Sequence, residues 1–321
     1  MDAAQLRRAA GIIQSGGLVA FPTETVYGLG ANALDPLAVA QIFALKQRPH
    51  FDPLIVHIAD IKDLARLTDT PPHLRPAAEL LTAKFWPGPL TIVLPKKQIV
   101  PDIVTAGLPT VGLRMPDNTI ALELIRQSGC PLAAPSANKF GQLSPTTAAH
   151  VRKQLPDLEC ILDGGPAEKG LESTVIALQP DGFVILRQGV ITAQELAAVL
   201  PASSRPIANA GLASPGLLQA HYSPNKPIYL LGGQTPRITK DRTGYLAMQK
   251  APPGYALTEI LSAKGDLREA AANLFGALHR LEEAPDIECI LAEPAPAEGI
   301  GLAILDKLRK ACFRWQSTSP F

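Results

Sequence analysis

Short apolar runs alternate with stretches of helical periodicity along most of the chain, and the pattern fails once, across residues 201–227. A strand has to pair and a helix has to bury its apolar stripe, so this alternation restricts the fold to layered α/β units. Leu18-Val19-Ala20-Phe21, Leu54-Ile55-Val56-His57-Ile58, Leu90-Thr91-Ile92-Val93-Leu94, Thr110-Val111-Gly112-Leu113-Arg114 and Pro131-Leu132-Ala133-Ala134 predict strands, as do residues 160–163, 174–178 and 183–186. Helices are predicted from Asp2 as a cap to Gly16-Gly17, at 36–46 after Asp35-Pro36, and at 61–67, 74–85, 120–127, 147–154 and 193–200. The alternation is not strict, so a mixed sheet is expected in place of a wholly parallel one.

Across 201–227 prolines recur (Pro201, Pro206, Pro215, Pro224, Pro227), which reads as an extended linker. It also carries His221-Tyr222, large side chains that a pure spacer does not need. Beyond it, strands at 228–231, 244–248 and 287–292, a helix at 267–281 and a last helix at 301–312 predict a smaller α/β unit. The division is therefore 1–200, a linker at 201–227, and 228–321.

At 321 residues with 46% hydrophobic content, two domains can each bury a core. A net charge of +1 gives no global field for nucleic acid or membrane, and 5% aromatics offers little base-stacking surface. Cys130, Cys160, Cys289 and Cys312 form no C-x-x-C pair, and the histidines never fall at ligand spacing. No structural metal site is expected, and reduced thiols with no long apolar run point to the cytoplasm.

The loop Phe21-Pro22-Thr23-Glu24-Thr25-Val26-Tyr27-Gly28-Leu29-Gly30 leads from a predicted strand toward a helix and offers hydroxyls and glycines for close approach. Gly28-Leu29-Gly30-Ala31-Asn32-Ala33 fits a loose G-x-G-x-x-A, but the glycines lie past the strand's turn, against a dinucleotide site. Ser136-Ala137-Asn138-Lys139 fits S-x-x-K without the companion motifs of a penicillin-binding site. What remains is a set of cations and small donors near strand ends: Lys46, Arg48, Arg114, Arg187, the Ser136–Asn138 loop, Ser144-Pro145-Thr146-Thr147 and Glu172-Ser173-Thr174. Singly, each is a surface charge, a cap or a turn. Together they suit a polyanion such as a nucleoside triphosphate. Lys46 and Arg48 converge only where the helix unwinds, which Pro49 favours.

Lys46-x-Arg48-Pro49, Pro53-Leu54-Ile55-Val56-His57-Ile58, Ser136-x-Asn138 and Pro22-Thr23-Glu24-Thr25-Val26-Tyr27-Gly28-Leu29 together resemble the YrdC-like family of L-threonylcarbamoyladenylate synthases. The resemblance spans roughly residues 5–200. His221-Tyr222-Ser223-Pro224 and residues 228–321 resemble the linker and C-terminal domain of its long, two-domain form. It implies a twisted mixed sheet with helices around a concave site, plus a smaller Rossmann-like α/β domain. The implied reaction converts L-threonine, bicarbonate and ATP into threonylcarbamoyl-AMP and pyrophosphate, with Mg2+ alongside ATP. A tRNA threonylcarbamoyltransferase would consume the product, and weak contact with tRNA itself is left open.

Carried over by motif, Thr25, His57, Arg114, Ala134 and Ser173 would hold threonine. Arg48, Asp52, Thr110, Ser136, Ser144, Arg187 and Tyr222 would contact ATP, while Lys46 and Asn138 would act with Arg48 and Ser136 on bicarbonate or phosphate charge. Asp52 stands where the family usually has asparagine, and Leu281-Glu282 and Asp306-Lys307-Leu308 depart from its usual C-terminal pattern. The alternatives are carbamoyl-AMP formation and RNA binding without catalysis. The linker is expected to lie across the first domain and set Tyr222 over the nucleotide as a lid.

Overall fold

The computed structural model describes residues 2–205, 221–233 and 239–316. Strands β1 (Val19–Phe21), β2 (Gly28–Asn32), β3 (Ile55–His57), β4 (Leu90–Pro95), β5 (Thr110–Arg114), β6 (Leu132–Ala133), β7 (Cys160–Ile161), β8 (Thr174–Gln179) and β9 (Gly182–Arg187) form one sheet. Their order is β7-β1-β2-β6-β3-β5-β4-β8-β9. The pairs β1–β7, β3–β5 and β4–β8 are parallel and the others antiparallel, the mixed sheet that the broken alternation predicts.

The helices begin where their caps do. Asp2 accepts a hydrogen bond from Ala4 N at the start of α1 (Ala3–Gln14). Asp35 accepts from Leu37 N and Ala38 N ahead of α2 (Pro36–Lys46), which stops at Gln47 in the left-handed region (φ 53°). The helices α3 (Lys62–Leu67), α4 (Arg75–Phe85), α6 (Thr119–Ser128), α7 (Ala148–Gln154) and α8 (Ala193–Ala197) follow the predicted positions, and a single turn, α5 (Asp102–Thr105), is additional.

The segment 21–30 is not one long connection. β2 begins at Gly28 and pairs with β1, Phe21 opposite Gly28, so the polar loop is the turn of a hairpin. Gly30 is explained here by packing: a Cβ would stand 2.7 Å from the Phe21 ring. Gly28 is close to the same ring and also opens toward the site, so substrate approach accounts for at most one of the two.

The second sheet is all parallel, in the order β10 (Ile228–Leu230), β13 (Cys289–Ala292), β11 (Thr243–Ala247), β12 (Leu257–Ile260), with α9 (Leu267–Glu283) and α10 (Gly301–Gln316). β12 is absent from the sequence reading because it is a half-exposed edge strand whose Glu259 serves an ion pair with Arg280. Residues 206–220, where most of the predicted linker and its lid lie, are outside the described residues.

The two units share apolar contacts. Val26, Leu143, Leu171 and Val190 from the first join Tyr222, Leu274, Phe275 and Leu308 in one buried cluster. The units come close at Gly170 (φ 65°), where a Cβ would fall 2.2 Å from Ala272 O. Gly170→Ala should therefore force α9 away and strain the backbone, lowering stability by about 1–3 kcal/mol. Chemical denaturation would read this, and an unchanged midpoint would show that the contact yields without cost.

Candidate active site

One end of the large sheet gathers the predicted site. β3 and β5 run parallel in a register that sets His57 beside Arg114, each at the last position of its strand. β8 and β9 are antiparallel, so Arg187, opposite Val175, ends where Ser173 enters β8. Gly28 bridges to Ser136, bringing the loop after β6 to the same end. These strand ends border a cleft whose walls include Thr25, Arg48, His57, Arg114, Ser136 and Arg187. Glu172, Ser173, His221 and Tyr222 add to its polar lining, and Ala134 joins Val26, Pro53, Leu54 and Ile55 in the apolar part.

Each cation in or under the cleft is anchored. Arg114 Nη2 lies 2.6 Å from Glu24 Oε1, and its Nε donates to Gly88 O at 3.3 Å. Arg48 Nη2 is 2.8 Å from Asp52 Oδ2, and its guanidinium also donates to Asp52 O (3.2 Å) and Pro53 O (3.0 Å). Arg187 Nη2 donates to Ser173 O and Ser173 Oγ, both at 3.0 Å. Burial pushes the Arg48 guanidinium below its ordinary range, which Asp52 opposes; burial also pushes the Asp52 carboxyl up, against Arg48.

The helix unwinds at Gln47, and Lys46 and Arg48 are close enough to act on one another, but only Arg48 reaches the cleft wall. Lys46, 1% exposed, turns beneath the Ser136–Asn138 loop and donates to Ser136 O at 2.5 Å and to Asn138 O. Burial first, and Arg48 second, push its ammonium well below the usual lysine range.

The hydroxyls are oriented as well. Thr23 Oγ1 donates to Val26 O at 2.6 Å, so its 2.8 Å contact with Thr25 Oγ1 is made by the Thr25 proton. Thr25 consequently turns acceptor lone pairs to the cleft. Burial, with Arg114 beside it, lowers His57 to about 3, so it is neutral at ordinary pH, and its Nδ1 has no hydrogen-bond partner among the described residues. The Tyr222 hydroxyl is likewise unpartnered there, on a residue held at φ 60° and 1% exposed. An unpartnered buried polar atom carries a desolvation penalty that a ligand relieves. The cleft thus combines neutral hydroxyl and imidazole groups with three anchored arginines.

The Sua5–YciO–YrdC family model, described as "Telomere recombination", matches residues 11–189, and the model described as "Threonylcarbamoyl-AMP synthase, C-terminal domain" matches 191–312. The chain belongs to the Sua5/YrdC family. The threonylcarbamoyl-AMP synthase of Pyrococcus abyssi is 42% identical over 96% of this chain and 94% of its own length. That of Bacillus subtilis is also 42% identical, over 96% of this chain and 92% of its own. The crystal structure of P. abyssi Sua5 complexed with L-threonine superposes with a TM-score of 0.86 at 39% identity, covering 97% of this chain and 95% of that one.

The Sua5/YrdC motif residues divide by position. Those named above for the cleft wall face a common space, but five of the predicted residues do not line it. Lys46 and Asn138 work on the loop's own backbone, Asn138 Nδ2 donating to Lys139 O (2.8 Å) and Gln142 O (3.0 Å). Ser144 Oγ donates to Glu172 Oε1 at 2.6 Å, and Asp52 turns to Arg48. Thr110 borders an adjoining crevice with Thr91 and Gly112, which shares Pro53, Leu54 and Ile55 with the main cleft.

Sequence reasoning named Glu24, Glu172 and His221 within their motifs but assigned none of them a role in the site. Glu172 and His221 line the cleft, and Glu24 lies behind Arg114. The available signal was charge: a strand-end arginine expected to be buried needs a carboxylate, and Glu24 sits inside the hydroxyl motif itself. Among the described residues no group of three His, Cys, Asp or Glu side chains is placed to hold a metal ion.

Burial lowers His150 and His279 to about 4 where their rings stack 3.8 Å apart between the two units, and it holds His221 well below 6.5. With His57 near 3, these histidines are neutral when folded and take protons near 6.5 when unfolded. Between about pH 4 and 6.5 the unfolded chain binds more protons, so stability rises with pH and is lost on acidification, by up to about 1.4 kcal/mol per pH unit for each fully differential site. Asp52, raised by burial, acts in the opposite sense. Melting at pH 5.0 should fall several degrees below that at pH 7.5, and His279→Gln should flatten the difference; pH-independent melting would contradict these assignments.

Proposed function

We propose that the cleft makes threonylcarbamoyl-AMP and pyrophosphate from L-threonine, bicarbonate and ATP. The observation that carries this reading is the His57–Arg114 register beside Thr25, facing Arg48 and Arg187 across one cleft. An amino acid needs a guanidinium for its carboxylate and neutral acceptors for its ammonium and hydroxyl, and Arg114, Thr25 and neutral His57 supply these. A triphosphate needs several cations and small donors, which Arg48, Arg187 and Ser136 supply. The near full-length likeness to proteins named for this activity supports the same assignment.

In this scheme the threonine ammonium gives up a proton to solvent, and the free amine bonds to the bicarbonate carbon with loss of water, giving a carbamate. A carbamate oxygen then attacks the α-phosphorus, and the bond to pyrophosphate breaks. The attacking groups belong to the substrates, so the protein's contribution is to position two anions and neutralise charge that develops on phosphate. Lys46 keeps the Ser136–Asn138 loop in shape by holding its carbonyls. Asp52 holds Arg48, a task that a carboxylate performs more strongly than an amide. Magnesium would accompany the triphosphate and be carried by the phosphates, since among the described residues no group of three His, Cys, Asp or Glu side chains is placed to hold a metal ion. The product is a reactive mixed anhydride, suited to a cytoplasmic tRNA threonylcarbamoyltransferase.

Pyrophosphate release should require threonine, bicarbonate and ATP together, with threonylcarbamoyl-AMP detected by mass. Arg48→Ala combined with Asp52→Asn, which avoids an uncompensated buried carboxylate, should cut kcat/KM for ATP by roughly 10²-fold with the circular dichroism spectrum retained. Threonine-independent release, or a fully active double variant, would refute the scheme.

A further inference from the structure

α10 lies outside the large sheet, yet it delivers one ammonium to the underside of the cleft. Lys307 is 1% exposed. Its Nζ donates to Gln188 O at 3.0 Å and to Asp306 Oδ2 at 3.1 Å, stands 3.9 Å from Glu172 Oε2, and lies 5.1 Å from the centre of the Tyr222 ring. Glu172 and Tyr222 are both cleft wall, and Gln188 directly follows Arg187. The other oxygen of Glu172 is already taken by Ser144 Oγ.

A leucine or methionine would pack the inner face of α10 without removing a charge from water, so the buried ammonium is not explained by packing. Burial pushes Lys307 below its ordinary range, Glu172 and Asp306 oppose this, and Arg187 and Lys310 add to it. The groups around Lys307 that come from outside its own helix belong to the nucleotide end of the site.

We propose that Lys307 is a positioning residue for ATP, by which the C-terminal unit offsets the charge of the Glu172 carboxylate, holds the Tyr222 ring in place and so supports the nucleotide end of the site. This rests on reading that end of the cleft as the triphosphate site. Without the ammonium, Glu172 becomes an uncompensated carboxylate facing the phosphates, and the Tyr222 ring loses its cation. The damage falls on ATP and spares threonine, which binds by Arg114 at the other end.

Steady-state kinetics on the full-length chain test this with Lys307→Met, Lys307→Arg and Lys307→Met/Glu172→Gln. Lys307→Met should raise KM for ATP at least about tenfold while KM for threonine changes by less than about twofold. Lys307→Arg should restore most of the loss. The doubly neutral chain, with no unpaired carboxylate, should lie roughly threefold above wild type, the residue of the lost cation–ring contact. Parallel changes in both KM values, an unchanged KM for ATP, or no recovery in the double variant overturns the proposal. If Lys307→Met does not fold, the double variant decides, and a wild-type KM for ATP overturns it. ATP affinity by calorimetry should follow the same order and does not require turnover, so a wild type that binds ATP without making pyrophosphate would sink the synthase reading alone.

Discussion

Arg48, Arg114 and Arg187 are confined to one cleft where burial removes most of their water, and much of the surrounding structure answers that electrostatic load. Arg114 is met by Glu24 from the hairpin turn, Arg48 by Asp52 four residues on, and Arg187 by the carbonyl and hydroxyl of Ser173. Bare cations so close would repel one another and lose their hydration. Glu24 and Asp52 offset the charge of Arg114 and Arg48, and the three sets of contacts hold each fork in one orientation. The result is a set of donors aimed in advance at anions, which limits the reorganisation needed when charge moves during reaction.

The same logic extends across the boundary between the two sheets. Glu172 hydrogen-bonds to Ser144 on one side and faces Lys307 on the other. Ser144 O in turn contacts His279 of α9, and Ser223 bonds both Gly141 O and Ala311 O. These polar links run through an apolar cluster that the two units fill together. The cleft wall near Tyr222 is therefore a product of both.

Much of the fold could be read in advance because its signals are local. Asp35-Pro36 opens α2, and five-residue apolar runs mark β3, β4 and β5 closely. β2 was hidden because its glycines and asparagine lack strand propensity; it exists because β1 and β6 flank it and the Phe21 ring fills the space at Gly30. The motif residues that line the cleft were legible because each sits at a strand end or on a short loop. Glu24 and Lys307 were not, since nothing in their own neighbourhoods shows which arginine or carboxylate they will meet.

The sequence by itself determined the layered α/β class, the helix caps and the residue types available to the site, because propensity, capping and periodicity act within a few neighbours. Only the tertiary structure decided that His57 lies beside Arg114, that Asp52 belongs to Arg48, and that a lysine near residue 307 reaches the far wall of the cleft. Those pairings depend on strand register and on the docking of α10. Register and docking are settled by what the whole chain buries together, which no local stretch specifies.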